Sequence, residues 1–533
     1  MSTEQYDYIV VGAGSAGCVI ASRLITRGVG RVLLIEAGGT DRSMFIHMPA
    51  GVSRAIPTKT WDYASEPGAA TLNRRMTVAQ GKVLGGSSSV NGMIYIRGQR
   101  QDYDAWVDDY ACAGWGYDDL LPYFRRAEAN ESLTSPFHGN DGLLPVSENR
   151  YRHPLTMAFV RAGQEIGLPY VNDFNSADQH GVGYYQTTTA RGARASTAQT
   201  YLKAVRGNPA LKVVTDALVE RIVIESGRAT GVVYRRGGQS VTAHAQREVI
   251  VSAGAIGSPK LLLLSGIGPG EELLRHGIAV QRELPVGRNF VDHLHLSVNA
   301  ETREPISLYG EDSGLRAVKN GVQWLAFRTG VVTSNILEGA AFVDTSGQGR
   351  PDVQVHFLPA LDTWDDPDGI GRDRTHGLTL KVGHVQPKSR GSVTLASKDP
   401  AALPIIQANY LNHPDDLAGQ IRALRLGLKL LQAPALQSQI GEVFSPPHAA
   451  LESDAELERF VRAGVKTVYH PVGTCRMGPD SATSVVDLAL RVHSVAGLRV
   501  ADSSVFPNIT SGNTNAPVIA VAEKAVDHIL GQA

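Results

Sequence analysis

The chain has 533 residues, 43% of them hydrophobic, which is enough to bury more than one core, so two domains are expected rather than one. Lys plus Arg (51) nearly equals Asp plus Glu (52), which leaves no basic field for nucleic acid and no acidic tail for a cationic partner. Three distant cysteines, Cys18, Cys112 and Cys475, exclude a disulfide framework and a CxxC pair, and no apolar run of about 18 residues predicts a transmembrane segment.

The first forty residues read as a dinucleotide cradle. Tyr6-Asp-Tyr-Ile-Val-Val11 is a buried parallel strand, and Gly12-Ala13-Gly14-Ser15-Ala16-Gly17 follows it. Gly12 allows the tight turn, Gly14 lets backbone approach a pyrophosphate, and Gly17 removes the side chain where helix meets strand. A second apolar strand ends at Glu36, whose carboxylate suits ribose hydroxyls and disfavours a 2′-phosphate, and Ala37 follows it. This strand begins too early for a secretory signal, so a cytoplasmic location is expected, with peripheral contact at the inner membrane as the alternative.

Farther on, Trp61 either covers an adenine face or fills core, and it is counted among the candidate cofactor contacts. Residues 81–93 hold Gly85, Gly86 and three serines directly before an apolar run, which predicts a buried non-helical loop passing close to a flat ligand. Residues 211–254 read as a strand meander ending in a core strand, then a helix starting at Ser258-Pro259 and stopping at Gly266. His293-x-His295 is a weak metal pattern without a third ligand nearby, in a stretch (285–293) whose alternation fits a strand, so no metal is expected. Residues 311–464 mix strands (352–357, 378–382, 391–395) with a helix over 415–431. Toward the end, His470 precedes Pro471 and projects from a loop beside Tyr469. A strand at 498–502 ends in Asp502, and Asn513 and Asn515 precede a helix with Pro517 at its first position.

Two long motifs, Gly81-Lys-x-Leu-Gly-Gly-Ser-Ser-x-Val-Asn91 and Gly254-Ala-x-x-Ser-Pro-x-Leu-Leu-x-x-Ser-Gly-Ile-Gly268, stand between the nucleotide fingerprint and His470 and Asn513. In that order they make the chain resemble the glucose-methanol-choline (GMC) family of FAD-dependent oxidoreductases over essentially its whole length, most of all bacterial choline-dehydrogenase-like alcohol dehydrogenases. The resemblance implies an α/β and α+β architecture. A Rossmann-like FAD-binding domain would take residues 1–155, 210–310 and 465–533, and a substrate-binding domain on an antiparallel sheet with helices would take 156–209 and 311–464. It implies FAD with its pyrophosphate on Gly12, Gly14, Ser15, Ala16 and Gly17 and its ribose on Glu36. Val219 and Ala253 would flank the adenine, and the loop with Val83, Gly85, Ser89, Asn91, Gly92 and Met93 would follow the ribityl chain and isoalloxazine. Asp502 would stand near the ribityl and pyrophosphate and Asn515 at the pyrimidine edge, with His470 and Asn513 as the active-site pair. Members with covalent FAD can carry histidine where this chain has Val90, so non-covalent FAD is expected.

The expected reaction is oxidation of a primary alcohol to the aldehyde, with His470 as base or alkoxide stabiliser and Asn513 orienting the oxygen. The acceptor would be oxygen, a quinone or another carrier. Choline is the alternative substrate, and Glu338 either faces its cationic head or is structural. Rival readings are an FAD-containing hydroxynitrile lyase and a nicotinamide dehydrogenase.

Overall fold

The computed structural model describes residues 5–362 and 375–532; residues 363–374, within the expected second domain, lie outside the described residues. A first sheet is built from β1 (Gln5–Val11), β2 (Val32–Ile35), β3 (Leu211–Val214), β4 (Ala217–Glu225), β5 (Arg228–Arg236) and β6 (Gln239–Val251), in the order β3-β2-β1-β6-β5-β4. The strand Leu498–Val500 pairs parallel with the second half of β6. β1, β2 and β3 run parallel, and β2 is buried at every position, which suits a sheet covered by helices on both faces. The helices α1 (Ser15–Thr26) and α2 (Gly254–Leu264) leave β1 and β6 respectively.

Two expectations change here. The run at 211–215 is not the first strand of the meander but the parallel edge beside β2; the meander is β4-β5-β6. The second helix starts at Gly254, four residues before Ser258, and carries Pro259 inside it. Pro259 has no N–H for the carbonyl of Ala255. The Thr474 hydroxyl donates to that oxygen at 2.6 Å instead, and the Ser258 hydroxyl is taken by Asp502, so a tertiary contact replaces the lost helical bond.

A second sheet is formed by β7 (Leu294–Thr302), β8 (Gly339–Val343), β9 (Val353–Leu358), β10 (Gly377–His384) and β11 (Ile440–Ser445), in the order β11-β7-β10-β9-β8, and continues through Gly181–Tyr184 to Tyr170–Val171. All its pairs are antiparallel except the last. β7 therefore belongs to the second sheet, although residues up to 310 were expected in the first domain. The stretch 285–293 makes only isolated bridges at Phe290 and Val291, because regular pairing starts at Leu294.

Alternation within this second sheet separates two faces. Leu296, Val298, Val353, Val355, Phe357, Leu378, Leu380 and Val382 join one core, backed by α4 (Pro414–Gln432), while α3 (Gly314–Phe327) lies nearer the surface. Each such aliphatic or aromatic side chain contributes roughly 1.5–3 kcal/mol by burial. The opposite face carries His295, Asn299, Gln354, His356, Thr379 and Lys381, all buried as well.

The final helix α5 (Asn515–Leu530) returns to pack on α1. It starts two residues earlier than Pro517 suggests, with Thr514 as cap and Pro517 in the first turn, where an amide hydrogen is not needed. The buried Glu523 of α5 accepts from Arg23 (2.7 Å), Arg126 (3.0 Å) and Tyr201 (2.8 Å), joining three distant segments.

Candidate active site

One cavity is lined by residues of both sheets, from Val11 and Val219 of the first to His356 and Lys381 of the second, and by Glu36 and His470 from the loops beside them. The first turns of α1, α2 and α5 all contribute to its wall, and their caps, Gly14, Ala253 and Thr514, make no side-chain capping bond. Three helix N-termini thus present amide hydrogens and partial positive charge to one space, as an extended anionic ligand requires. Close backbone approach fixes the turn: a Cβ on Gly17 would stand 1.9 Å from the Gly12 carbonyl oxygen, and one on Gly86 2.6 Å from the Gly14 Cα. Glu36 accepts from the amides of Ala13 (2.9 Å) and Gly38 (2.8 Å) and keeps acceptor capacity toward the cavity. Burial pushes its carboxyl up to about 7 against the pull of those amides. Ser15 donates to Asn515 at 2.7 Å, tying the start of α1 to the start of α5.

Of the sequence-predicted residues, Gly12, Gly14, Ser15, Ala16, Glu36 and Ala37 line this cavity. So do Trp61, Asn91, Gly92, Met93, Val219, Ala253, Tyr469, Asp502 and Asn515, together with His470 and Asn513. Gly17, Val83, Gly85 and Ser89 stand behind the wall. Val83 is buried in a small cluster with Ile46, Ala55 and Val90, and the Ser89 hydroxyl donates to Leu84 O (2.7 Å), so these residues shape the loop instead of facing the cavity. Gly86 and Ser87 face it instead, within a single 3₁₀ turn at Gly86–Ser89 that glycine-serine composition had argued against. Trp61 is half-buried, stacked on Tyr63 at 5.5 Å with the Lys82 ammonium over its ring. Asp502 accepts from Gly254 N, Ser258 Oγ and Ser504 N, so its carboxylate braces the start of α2.

The histidine end is assembled by a zipper between two loops. Val291 and Val472 exchange backbone bonds (3.1 and 2.9 Å), and Val468 N donates to His293 O (3.1 Å). Asp292 accepts from the amides of His293 (2.9 Å) and His470 (2.8 Å) and from the hydroxyls of Tyr410 (2.8 Å) and Thr467. Burial pushes this carboxyl up to about 6 despite those donors. Tyr469 holds φ +65°, a left-handed conformation that aims the residue after it and costs of order 1–3 kcal/mol. Asn513 Nδ2 lies 3.2 Å from His470 Nε2, and Gln354 Nε2 donates to Asn513 Oδ1 at 3.2 Å, which sets the amide's orientation. Burial, with His356 nearby, pushes the His470 imidazole down to about 3, so it is neutral at pH 7.

Residues to which the sequence reading gave no role in this cavity complete its wall. His356, His295 and Lys381 line the cavity from the polar face of the second sheet. Tyr185 bonds His356 Nδ1 at 2.8 Å while accepting from Gln354. Lys381 pairs with Asp362 at 2.8 Å. Arg194, fully buried, donates to the carbonyls of Ile46, Ser88 and Asn91 and clamps the 85–93 loop; burial lowers its guanidinium to about 9. The available signal was polar residues at alternate positions of strands otherwise made of Val, Leu and Phe. Glu338 takes the structural reading: its carboxylate is buried and accepts from His153 N, Thr156 Oγ1 and Ser334 Oγ. No cluster of three metal-ligating side chains occurs among the described residues.

Known proteins share this fold and much of this sequence. A GMC oxidoreductase N-terminal model matches residues 6–295 and its C-terminal counterpart residues 387–522. An oxygen-dependent choline dehydrogenase of Rhizobium johnstonii is 43% identical over 99% of this chain and 96% of that protein, and one of Sinorhizobium fredii matches equally well. Among solved structures, pyridoxine 4-oxidase from Mesorbium loti superposes with a TM-score of 0.88 at 31% identity, covering 98% of each chain. Formate oxidase does so at 0.94 and 27%, covering 100% of this chain and 99% of that one. The glycine cradle and the three helix ends suit the pyrophosphate of FAD, and the chain belongs to the GMC oxidoreductase family of FAD-dependent enzymes acting on CH–OH groups.

Proposed function

We propose that this enzyme oxidises an uncharged primary alcohol to the aldehyde, with His470 taking the hydroxyl proton and Asn513 holding the same oxygen. The observation that carries this reading is the 3.2 Å pairing of His470 Nε2 with Asn513 Nδ2 in the cavity that also receives Glu36. A substrate hydroxyl placed between them donates to Nε2 and accepts from the amide, which fixes the carbinol carbon. FAD, when bound, supplies the hydride acceptor. The turn at Gly12, Gly14 and Ser15 would hold its pyrophosphate, Glu36 its ribose, Val219 and Ala253 its adenine, and Asn91, Gly92, Met93 and Asn515 its ring system. The division into an FAD-binding and a substrate-binding domain follows the two sheets, with the boundary moved ahead of β7.

Choline is the second reading, supported by the names of the 43% identical relatives. The wall near His470 favours an uncharged substrate: among the described residues it offers His295, His356 and Lys381, and Glu338 is committed elsewhere. A hydroxynitrile lyase is not favoured, since these relatives and neighbours are named as dehydrogenases and oxidases. The electron acceptor is oxygen, a quinone or another carrier. We place the enzyme in the cytoplasm; no helix of the described residues is long and apolar enough to cross a membrane. Peripheral contact would use the outward face of α3, where Leu315, Val318, Val322 and Leu325 are exposed, and co-sedimentation with anionic vesicles tests it.

Anaerobic mixing with benzyl alcohol, long-chain primary alcohols and choline, followed by flavin absorbance, tests the substrate. Bleaching by choline alone overturns the uncharged reading. His470→Ala keeps flavin and loses about 10²–10⁴ in reduction rate. Near-normal reduction sinks the assignment.

A further inference from the structure

His293 bonds His470 but was singled out in the sequence only as half of a weak metal pattern. Its Nε2 lies 3.1 Å from the carbonyl oxygen of Val385, and its Nδ1 lies 3.3 Å from Nδ1 of His470. A carbonyl oxygen can only accept, so Nε2 of His293 carries a hydrogen. In the neutral ring Nδ1 is then an acceptor, and the hydrogen between the two imidazoles belongs to His470 Nδ1. Burial keeps His293 neutral by holding it well below the usual histidine range. The other side of His470 gives the same answer independently. Gln354 occupies the Asn513 oxygen, so Asn513 presents its amide hydrogens to His470 Nε2, which must be an acceptor. Donation therefore runs in one direction, from Gln354 through Asn513 on one side and from His470 through His293 to Val385 on the other.

We propose that His293, locked by the Val385 carbonyl, is a positioning residue that holds His470 in the tautomer with hydrogen on Nδ1, leaving on Nε2 the lone pair that accepts from Asn513 in this structure and from the substrate hydroxyl when alcohol is bound. The inference rests on the reading of His470 as the proton acceptor. When Nε2 takes the substrate proton, the imidazolium keeps its Nδ1 hydrogen bonded to the His293 lone pair, so the bond that selects the tautomer also stabilises the product cation. Position is maintained separately, because Asp292 holds the backbone amides of both histidines. Exchange of the His293 side chain thus removes the selecting acceptor while leaving the loop's anchor in place.

The test uses the FAD-loaded enzyme with ¹⁵N-labelled histidine, His470 being assigned by the signals lost in His470→Gln. Ring-nitrogen shifts report which nitrogen carries hydrogen, independent of turnover. Wild type is expected to show protonated Nδ1 and unprotonated Nε2. His293→Leu, with no acceptor, mixes the tautomers and slows anaerobic flavin reduction about 10- to 100-fold at unchanged flavin content. His293→Gln, which can accept from His470 and donate to Val385, restores the wild-type shifts and most of the rate. A wild-type His470 protonated at Nε2, a Leu variant with unmixed tautomer and full rate, or equal impairment of Leu and Gln variants overturns the proposal. Failure of the proton-acceptor reading is seen separately, as near-normal reduction in His470→Ala while the wild-type enzyme shows His470 protonated at Nδ1.

Discussion

If Glu36 holds the FAD ribose as proposed, FAD affinity is expected to depend on pH. In the cofactor-free protein its carboxyl titrates near 7, because burial raises it more than the amides of Ala13 and Gly38 lower it. Ribose hydroxyls donate to the ionised form, so binding selects the carboxylate, and protonation competes with it. A raised acid is mostly protonated below its pKa: about one-tenth is ionised at pH 6 and about nine-tenths at pH 8. The apparent Kd for FAD is therefore expected to be about tenfold weaker at pH 6 than at pH 8, and to approach a further tenfold loss per unit below that. Glu36→Gln removes the charge. A hydrogen bond to a charged group is worth about 1.5–3 kcal/mol, so Kd at pH 8 rises about 10- to 100-fold, and the pH dependence flattens. Titration of apoprotein with FAD, followed by quenching of flavin fluorescence, measures both. A wild-type Kd that does not change between pH 6 and 8, or a Gln variant that keeps the wild-type slope, refutes the reasoning.

Gly86→Ala is expected to empty the flavin site, since its Cβ would sit 2.6 Å from the Gly14 Cα and force the two cradle loops apart; flavin per polypeptide after purification reads the loss. Asp292→Asn leaves fewer acceptors for four donors, so it should lower the melting temperature, by an amount corresponding to about 1–3 kcal/mol for a buried donor left unpaired, and slow flavin reduction. An unchanged melting curve would contradict the role of this carboxylate as the loop's anchor. Acid precipitation should release all the flavin into the supernatant, because Val90 offers no nucleophile beside Asn91; flavin retained on the pellet would disprove non-covalent binding.

The parts of this enzyme legible in the sequence are those whose chemistry is local. Gly12 and Gly17 announce a turn that only glycine fits, and the run from Leu211 to Val251 shows its strands as short apolar runs separated by turn glycines. Helix starts were less legible. Ser258-Pro259 and Pro517 are local start signals, yet Thr474 and Asp502 let α2 begin earlier, and α5 tolerates proline in its first turn. The polar wall was hidden for a different reason. His295, His356 and Lys381 lie on three strands that are distant in sequence, and nothing near any one of them says that the other two share its face. His293 and Asp292 received no role from the sequence, because their partners are at 385, 410, 467 and 470, far from either residue along the chain.

The strand order of the first sheet also has a consequence for how the chain is made. β1 has β2 on one edge within moments of synthesis, but its other edge belongs to β6, some 240 residues later, and β6 in turn waits for Leu498–Val500. At ribosomal rates of about 5–20 residues per second, the open edge of β1 persists for roughly 12–50 s while an apolar pair of strands is outside the tunnel. That interval exposes a pairing edge to neighbouring nascent chains. Cells that synthesise the protein faster than their chaperones can cover that edge should lose it to aggregates. Slower expression at low temperature should recover it, through timing alone and with no change in the stability of the finished fold.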